Sequence, residues 1–296
     1  MGSLAPSRYY VQMLRMLGHI TVMTVLFVTL GTGLFLIAVW KVDDVLTESV
    51  LHIGIIESPE VSTKSFFVFD LESGVEIFSK NSADILPIAS VTKLFAASAF
   101  LKSENLNGTT TVTWGDVNTE GRAGKLHANE EYKSRELLYP LLLESSNDAA
   151  TSLARTDSDL LAEMDAYAKE QGFNGTTFSD ASGLSDKNVS TAHELAMLSR
   201  DLYLSEPHIF DITRLKQYIG SYTGWVNNNP FIHDKSYRGG KHGFTYEANR
   251  TGVFFFEEEL LGKNARVFGY VVLGSDDLAS DVELLREQVQ ENVSFQ

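Results

Sequence analysis

Apolar and polar positions divide this chain into three stretches. From Met16 to Trp40, 25 residues carry no Asp, Glu, Lys or Arg, and from Ile20 the run is continuously apolar apart from threonines and glycines. A helix of that length rises roughly 37 Å, enough to cross a hydrocarbon core of roughly 30 Å with some tilt. Arg8 and Arg15 precede the run, while Lys41 beyond it is followed by Asp43 and Asp44. The excess of positive charge before the run places residues 1–15 in the cytoplasm, 16–40 across the membrane and the rest outside. A cleaved signal peptide is the competing reading, with Ile20–Leu30 as its apolar region and Gly31-Thr32-Gly33 as its small residues; cleavage there would leave Leu34–Trp40 as an apolar mature N-terminus. Either way the remainder is exported. Residues 41–62, with mixed charge, Pro59 and no period, read as a linker, and 63–296 as one domain.

Within that domain the period changes repeatedly. Ser65–Asp70 and Val75–Ser79 are aromatic and β-branched runs separated by Leu71-Glu72-Ser73-Gly74, which predicts a hairpin. Pro87 and small residues then lead through Ser90 into Ala96, Ala97, Ala99, Phe100 and Leu101, a composition that predicts a buried helix. Residues 105–131, rich in Gly, Thr and Asn, read as short strands and loops. Helices are expected over Arg135–Leu143, Asp148–Ala154 and Leu160–Gln171, the last stopped by Gly172. Another is expected over Thr191–Leu204, opened by Thr191 with Glu194 three positions on, a capping-box pattern. Tyr237–Phe244, Gly252–Phe256 and Val267–Gly274 read as strands, and Asp277–Val289 as a closing amphipathic helix. The expected layout is a helical middle inserted between a hairpin and later strands.

Composition narrows the chemistry. There is no cysteine, so disulfides, thiolate metal sites and cysteine nucleophiles are excluded. The formal charge is −15 with no basic run, which argues against nucleic acid as a partner. The seven histidines are scattered, with no H-E-x-x-H and no zinc-like spacing. Neither a metal nor a cofactor is expected.

The sharpest candidate chemistry is Ser90-Val91-Thr92-Lys93. Residues i and i+3 share a helix face, so the Lys93 amine can reach the Ser90 hydroxyl. A buried lysine has a lowered pKa and can serve as the base that a serine nucleophile needs. The helix N-terminus also presents unpaired N–H groups to a developing oxyanion. Alone, S-x-x-K is expected on the order of once by chance in a chain this long, and a capping serine with a solvated lysine reads equally well. An acyl-transfer site needs a proton relay, a cation for a substrate carboxylate and a second oxyanion donor. Ser145-Ser146-Asn147 lies between two predicted helices and can supply relay and substrate contacts, although Ser79-Lys80-Asn81 and Ser103-Glu104-Asn105 match S-x-N too. Lys241-His242-Gly243 is the only K-x-G and falls in a predicted strand, where a glycine often admits close approach of a ligand.

Together, Leu86–Leu94, Leu137–Ala150 and Ser182-Gly183-Leu184-Ser185-Asp186 with Ser190-Thr191-Ala192 resemble the serine-type D-alanyl-D-alanine carboxypeptidases. These are low-molecular-mass penicillin-binding proteins with S-x-x-K, S-x-N and K-T-G motifs, and the resemblance covers roughly residues 60–290. It implies an α+β, β-lactamase/D,D-peptidase-like fold: an antiparallel sheet flanked by helices, plus an all-helical lobe. It implies Ser90 as the acylated nucleophile, Lys93 as its base, and Ser145 and Asn147 relaying protons and orienting substrate. Lys241 would face the terminal carboxylate, and the N–H groups of Ser90 and Phe244 would form the oxyanion hole, with Gly243 and Thr245 beside them. Peptidoglycan stem peptides would be the substrate and β-lactams covalent inhibitors, at the outer face of a bacterial cell membrane.

Two departures stand out. His242 replaces the usual threonine; if it faces the cleft, its charge makes KM rise above roughly pH 7, whereas strand alternation allows it the opposite face. The chain also ends soon after the closing helix, so the N-terminal helix is expected to anchor it in place of a C-terminal one. A D,D-endopeptidase uses the same chemistry. A class A β-lactamase is disfavoured because no Glu-x-x-Leu-Asn string lies between Asn147 and Lys241. A catalytically silent wall-binding protein is the alternative from a different class.

Overall fold

The computed structural model describes residues 51–54, 59–121, 124–260 and 265–295; the predicted span 16–40 and the segment 1–15 lie outside them. Among the described residues no helix is long and apolar enough to cross a membrane. The chain opens with β1 (Leu51–Ile53) and the hairpin β2 (Ser65–Asp70) and β3 (Glu76–Lys80). A short β4 (Leu86–Pro87) and a 3-10 turn, Ala89–Val91, lead into α1 (Thr92–Lys102). Next come β5 (Thr109–Thr111), α2 (Trp114–Val117), β6 (Glu131–Lys133), α3 (Leu138–Leu143), α4 (Asn147–Thr156) and α5 (Leu160–Glu170). They are followed by β7 (Val189–Ser190), α6 (Ala192–Ser205), α7 (Pro207–Thr213), β8 (Gln217–Ile219) and β9 (Gly224–Val226). Three long strands, β10 (Tyr237–Thr245), β11 (Asn249–Glu259) and β12 (Ala265–Ser275), precede α8 (Leu278–Asn292) and β13 (Val293–Phe295).

Five strands form one antiparallel sheet in the order β10-β11-β12-β2-β3, so the early hairpin joins the late strands through β2 and β12. Every residue of β2 is buried because both faces of the sheet are covered. Phe67 and Phe69, with Phe255 and Val271, face the helices; Phe66 and Val68, with Phe254 and Tyr270, face α8 through Val282, Leu285 and Val289. Successive side chains alternate between two hydrophobic layers rather than between core and water. The helical core is built around α1, buried from Thr92 through Phe100, which is why that helix carries little charge. Edge strand β10 faces the 3-10 turn before α1.

Several expectations change in the structure. Residues 51–53 of the expected linker form β1, which pairs antiparallel with β13; α8 delivers β13 beside it, a contact with no local signature. The helix expected from Arg135 starts as a 3-10 turn, Ser134–Leu137, and α3 begins at Leu138, with Pro140 in its first turn, where a missing N–H is tolerated. Thr191 does cap α6, its Oγ1 accepting from Glu194 N at 3.0 Å. The Glu194 carboxylate instead accepts from Gly175 N (3.0 Å) and Thr176 Oγ1 (2.7 Å), so the cap is one-sided and the glutamate ties down a loop. Helix α7 and the β8–β9 hairpin have no counterpart among the expected elements.

Candidate active site

Ser90 lies in the 3-10 turn, half-exposed, directly after Ala89, which takes a left-handed φ of 47°. Two glycines pack closely against that turn. A Cβ on Gly183, itself at φ +80°, would stand 2.0 Å from the Ala89 carbonyl oxygen. A Cβ on Gly243 would stand 2.4 Å from Ser90 N. The nucleophile's peptide is therefore clamped between the loop before β7 and the strand β10, with no room for a side chain on either.

Lys93 is fully buried one turn later, and its Nζ meets Ser90 Oγ at 2.9 Å, Asn147 Oδ1 at 2.8 Å and the Ser182 carbonyl at 2.5 Å. Asn147 Nδ2 donates to the Glu120 carbonyl (2.9 Å), which fixes Oδ1 towards the lysine. Asn147 Oδ1 and the Ser182 carbonyl can only accept. A neutral amine has two N–H donors, and these two acceptors consume both, leaving its lone pair facing Ser90. Burial, and then the neighbouring Lys241, drive the Lys93 pKa well below its ordinary value, outweighing the opposite pull of Asp180. The bland reading of Lys93 as a solvated helix lysine is thereby removed.

Ser145 sits between α3 and α4 at φ 61°, an uncommon conformation for serine. The turn is held by Ser146, whose N donates to the Pro140 carbonyl (3.0 Å) and whose Oγ accepts from Ala149 N (3.0 Å). Among the described residues the Ser145 hydroxyl makes no hydrogen bond to Ser90, Lys93 or Lys241. Lys241 is buried, its Nζ donating to the His242 carbonyl at 2.6 Å, and desolvation lowers its pKa to about 7. Phe244 exposes its ring beside Gly243, and Thr245 Oγ1 accepts from Ala248 N (3.1 Å) to close the β10–β11 turn. Thr245 thus has a turn-closing role that the motif reading did not include.

His242 turns to Asn228, with Nε2 3.0 Å from Asn228 Oδ1. Burial and the adjacent Lys241 hold the imidazole pKa far below its ordinary value. The expectation that His242 titrates near neutrality and governs KM is therefore corrected: the ring is neutral there.

Two contributors were missed from sequence. Asp180 accepts from Ser182 N (2.7 Å), Gly183 N (2.6 Å), Ser185 N (2.8 Å) and Asn188 Nδ2 (2.9 Å), which fixes the loop presenting the Ser182 carbonyl. Burial pushes that carboxyl up, but these bonds outweigh it and hold it below its ordinary value. The Asp-x-Ser-Gly pattern is the signal that pointed to such a turn. Asn228 is the other, in a run of three asparagines that reads only as loop.

The family model described as D-alanyl-D-alanine carboxypeptidase matches residues 54–268. A D-alanyl-D-alanine endopeptidase of Haemophilus influenzae is 34% identical over 143 residues, 46% of this chain and 49% of the relative. The endopeptidase of Pseudomonas aeruginosa is 30% identical over 202 residues, 64% of this chain and 65% of the relative. The chain thus spans less than two thirds of either relative's length. The crystal structure of a D-alanyl-D-alanine carboxypeptidase from Mycobacterium tuberculosis H37Rv superposes with a TM-score of 0.72 at 25% identity, covering 81% of this chain and 95% of that one. Penicillin-binding protein D2 from Listeria monocytogenes, at 24% identity and a TM-score of 0.68 over 79% of this chain and 98% of that one, shares the fold. With a match over residues 54–268 and the three motifs gathered around one lysine, the chain belongs to the D-alanyl-D-alanine carboxypeptidase family.

Proposed function

We propose that this chain is a serine D,D-peptidase that removes the terminal D-alanine from peptidoglycan stem peptides through a Ser90 acyl-enzyme. The observation that carries the reading is Lys93, buried, 2.9 Å from Ser90 Oγ, with its other donors occupied. Lys93 takes the Ser90 proton as Oγ attacks the penultimate D-alanine carbonyl carbon. The N–H groups of Ser90 and Phe244 receive the oxyanion. As the C–N bond breaks, Ser145 gives its proton to the leaving amine and takes one from the Lys93 ammonium, which restores the neutral amine. Lys93 then deprotonates the water that attacks the ester, and its proton returns to Ser90 Oγ as the acyl group leaves. Lys241 binds the substrate carboxylate. A β-lactam acylates Ser90 by the same attack. Incubation with an N-acylated D-alanyl-D-alanine peptide is expected to release free D-alanine, and the unmutated protein is expected to bind penicillin covalently. Neither release nor labelling would leave the wall-binding reading instead.

The Haemophilus and Pseudomonas relatives are D-alanyl-D-alanine endopeptidases, which favours a second reading, cleavage of D,D-crosslinks. Crosslinked muropeptide dimers consumed faster than linear pentapeptides would decide for it.

The pH dependence separates Lys241 from His242. Carboxylate binding needs the Lys241 cation, which is present below about pH 7 and lost above it. KM is expected to be flat below pH 7 and to rise about tenfold per unit above it, until the higher pKa of the bound state is reached. His242→Thr is expected to leave that rise in place. A rise abolished by His242→Thr would return the titration to the imidazole.

We further propose that residues 16–40 anchor the domain in the cell membrane with residues 63–296 outside, from the Arg8 and Arg15 asymmetry. Protease added to spheroplasts should digest the domain and leave a short membrane-bound N-terminal fragment. Protection of the whole chain would reverse the orientation, and a soluble domain starting near residue 34 would indicate cleavage.

A further inference from the structure

His242 and Asn228 join two parts of the site that no covalent neighbour joins. Asn228 N donates to the Leu143 carbonyl (3.1 Å), and its Nδ2 donates to the Glu144 carbonyl (3.1 Å). These are the two residues before Ser145. With Nδ2 committed to a carbonyl, the Asn228 side chain faces His242 with its oxygen, so His242 must carry its proton on Nε2 and donate. The Glu144 side chain adds to the same hub: its Oε1 accepts from Val226 N (3.1 Å) and from Lys125 Nζ (2.6 Å). The strand bearing Lys241 is thereby latched, through one asparagine, to the backbone that sets Ser145 at its left-handed φ of 61°.

We propose that Asn228 is a positioning residue for Ser145: the His242–Asn228–Glu144 latch holds the relay serine at the distance from β10 at which it can protonate the leaving group. The inference rests on the D,D-peptidase reading above. It differs from a general packing role in one chemical respect. Cleaving an amide expels an amine, which needs a proton on nitrogen as the C–N bond breaks. Cleaving the corresponding thioester expels a thiolate, which leaves with its electron pair and no proton. A displaced Ser145 slows the first reaction and spares the second.

The test compares acylation of Asn228→Ala and Asn228→Asp by an N-acylated D-alanyl-D-alanine peptide and by its D-alanyl-D-thiolactate analogue, which keeps the same acyl group and carboxylate. The amide acylation rate is expected to fall roughly tenfold to a hundredfold, the scale set by a misplacement of about 1 Å. The thioester acylation rate is expected to stay within about twofold of the unmutated protein. Asp keeps the acceptor for His242 but loses the donor to Glu144, so both variants should show the split, and Ser145→Ala should show it more strongly. Equal losses on both substrates, or no loss on either, overturn the proposal. So does loss of the folded domain in both variants, measured by circular dichroism, because the latch would then support the fold rather than the relay. An unmutated protein inert towards both substrates defeats the underlying reading instead, which keeps the two failures apart.

Discussion

Ser90→Ala is expected to abolish covalent labelling by a fluorescent penicillin while shifting stability by no more than about 0.5 kcal/mol. The substitution removes one half-exposed hydroxyl, whose contact to Lys93 is one of three that the amine makes. The two remaining acceptors still match the two donors of a neutral amine, so no buried group is orphaned. Lys93→Ala acts on the same step by another route. It leaves the Ser90 hydroxyl with no base within hydrogen-bond reach among the described residues. Acylation should fall by roughly two to four orders of magnitude, the usual contribution of a positioned general base. It also strips Asn147 Oδ1 and the Ser182 carbonyl of their shared donor, so some stability is lost with the activity. Gel fluorescence for labelling and a thermal melt for stability separate the two variants. Full labelling of Ser90→Ala would remove Ser90 from the mechanism.

The reason this much was readable lies in how locally each signal is written. The aromatic and β-branched runs of β2 and β3 and the charge-poor α1 follow from neighbouring residues alone. Ser90 and Lys93 are three apart and meet because helical geometry brings i and i+3 together. Sequence was silent where the partner is distant or is backbone. Lys93 and Ser182 are separated by 89 positions, and the atom that matters is a carbonyl that every residue carries. β1 and β13 join the two ends of the described chain and are each three residues long, too short for a period. His242 illustrates the hardest case. Its identity marked it as unusual, but its charge state is fixed by burial, by Lys241 and by an asparagine from a different loop.

Gly243→Ala should cost the acylation rate at least about a hundredfold while leaving the sheet intact. Gly243 pairs with Thr251 in the β10–β11 ladder, and alanine suits a strand interior somewhat better than glycine, by roughly 0.5–1 kcal/mol. Against that small gain stands a hard contact. The new methyl would lie 2.4 Å from Ser90 N, 3.0 Å from Ala89 Cβ and 3.1 Å from Ser90 Cα. Those are main-chain atoms and a Cβ, so no flexible side chain can swing aside. The turn is also packed tightly against Gly183, where an added Cβ would stand 2.0 Å from the Ala89 carbonyl oxygen, so it has little room to retreat. Strand β10 must therefore move outward, and Phe244 N–H moves with it, away from Ser90 N–H. Separating two oxyanion donors and widening the gap to Lys241 each act on the transition state, and loss of one such donor alone costs about 10²–10³. Overpacking should destabilise the domain by about 1–3 kcal/mol, less the strand gain. The second-order rate of penicillin acylation, read beside the melting curve, is the measurement. An unimpaired rate in a folded Gly243→Ala protein would show that the turn yields, and that close approach of β10 to Ser90 is not what assembles the site.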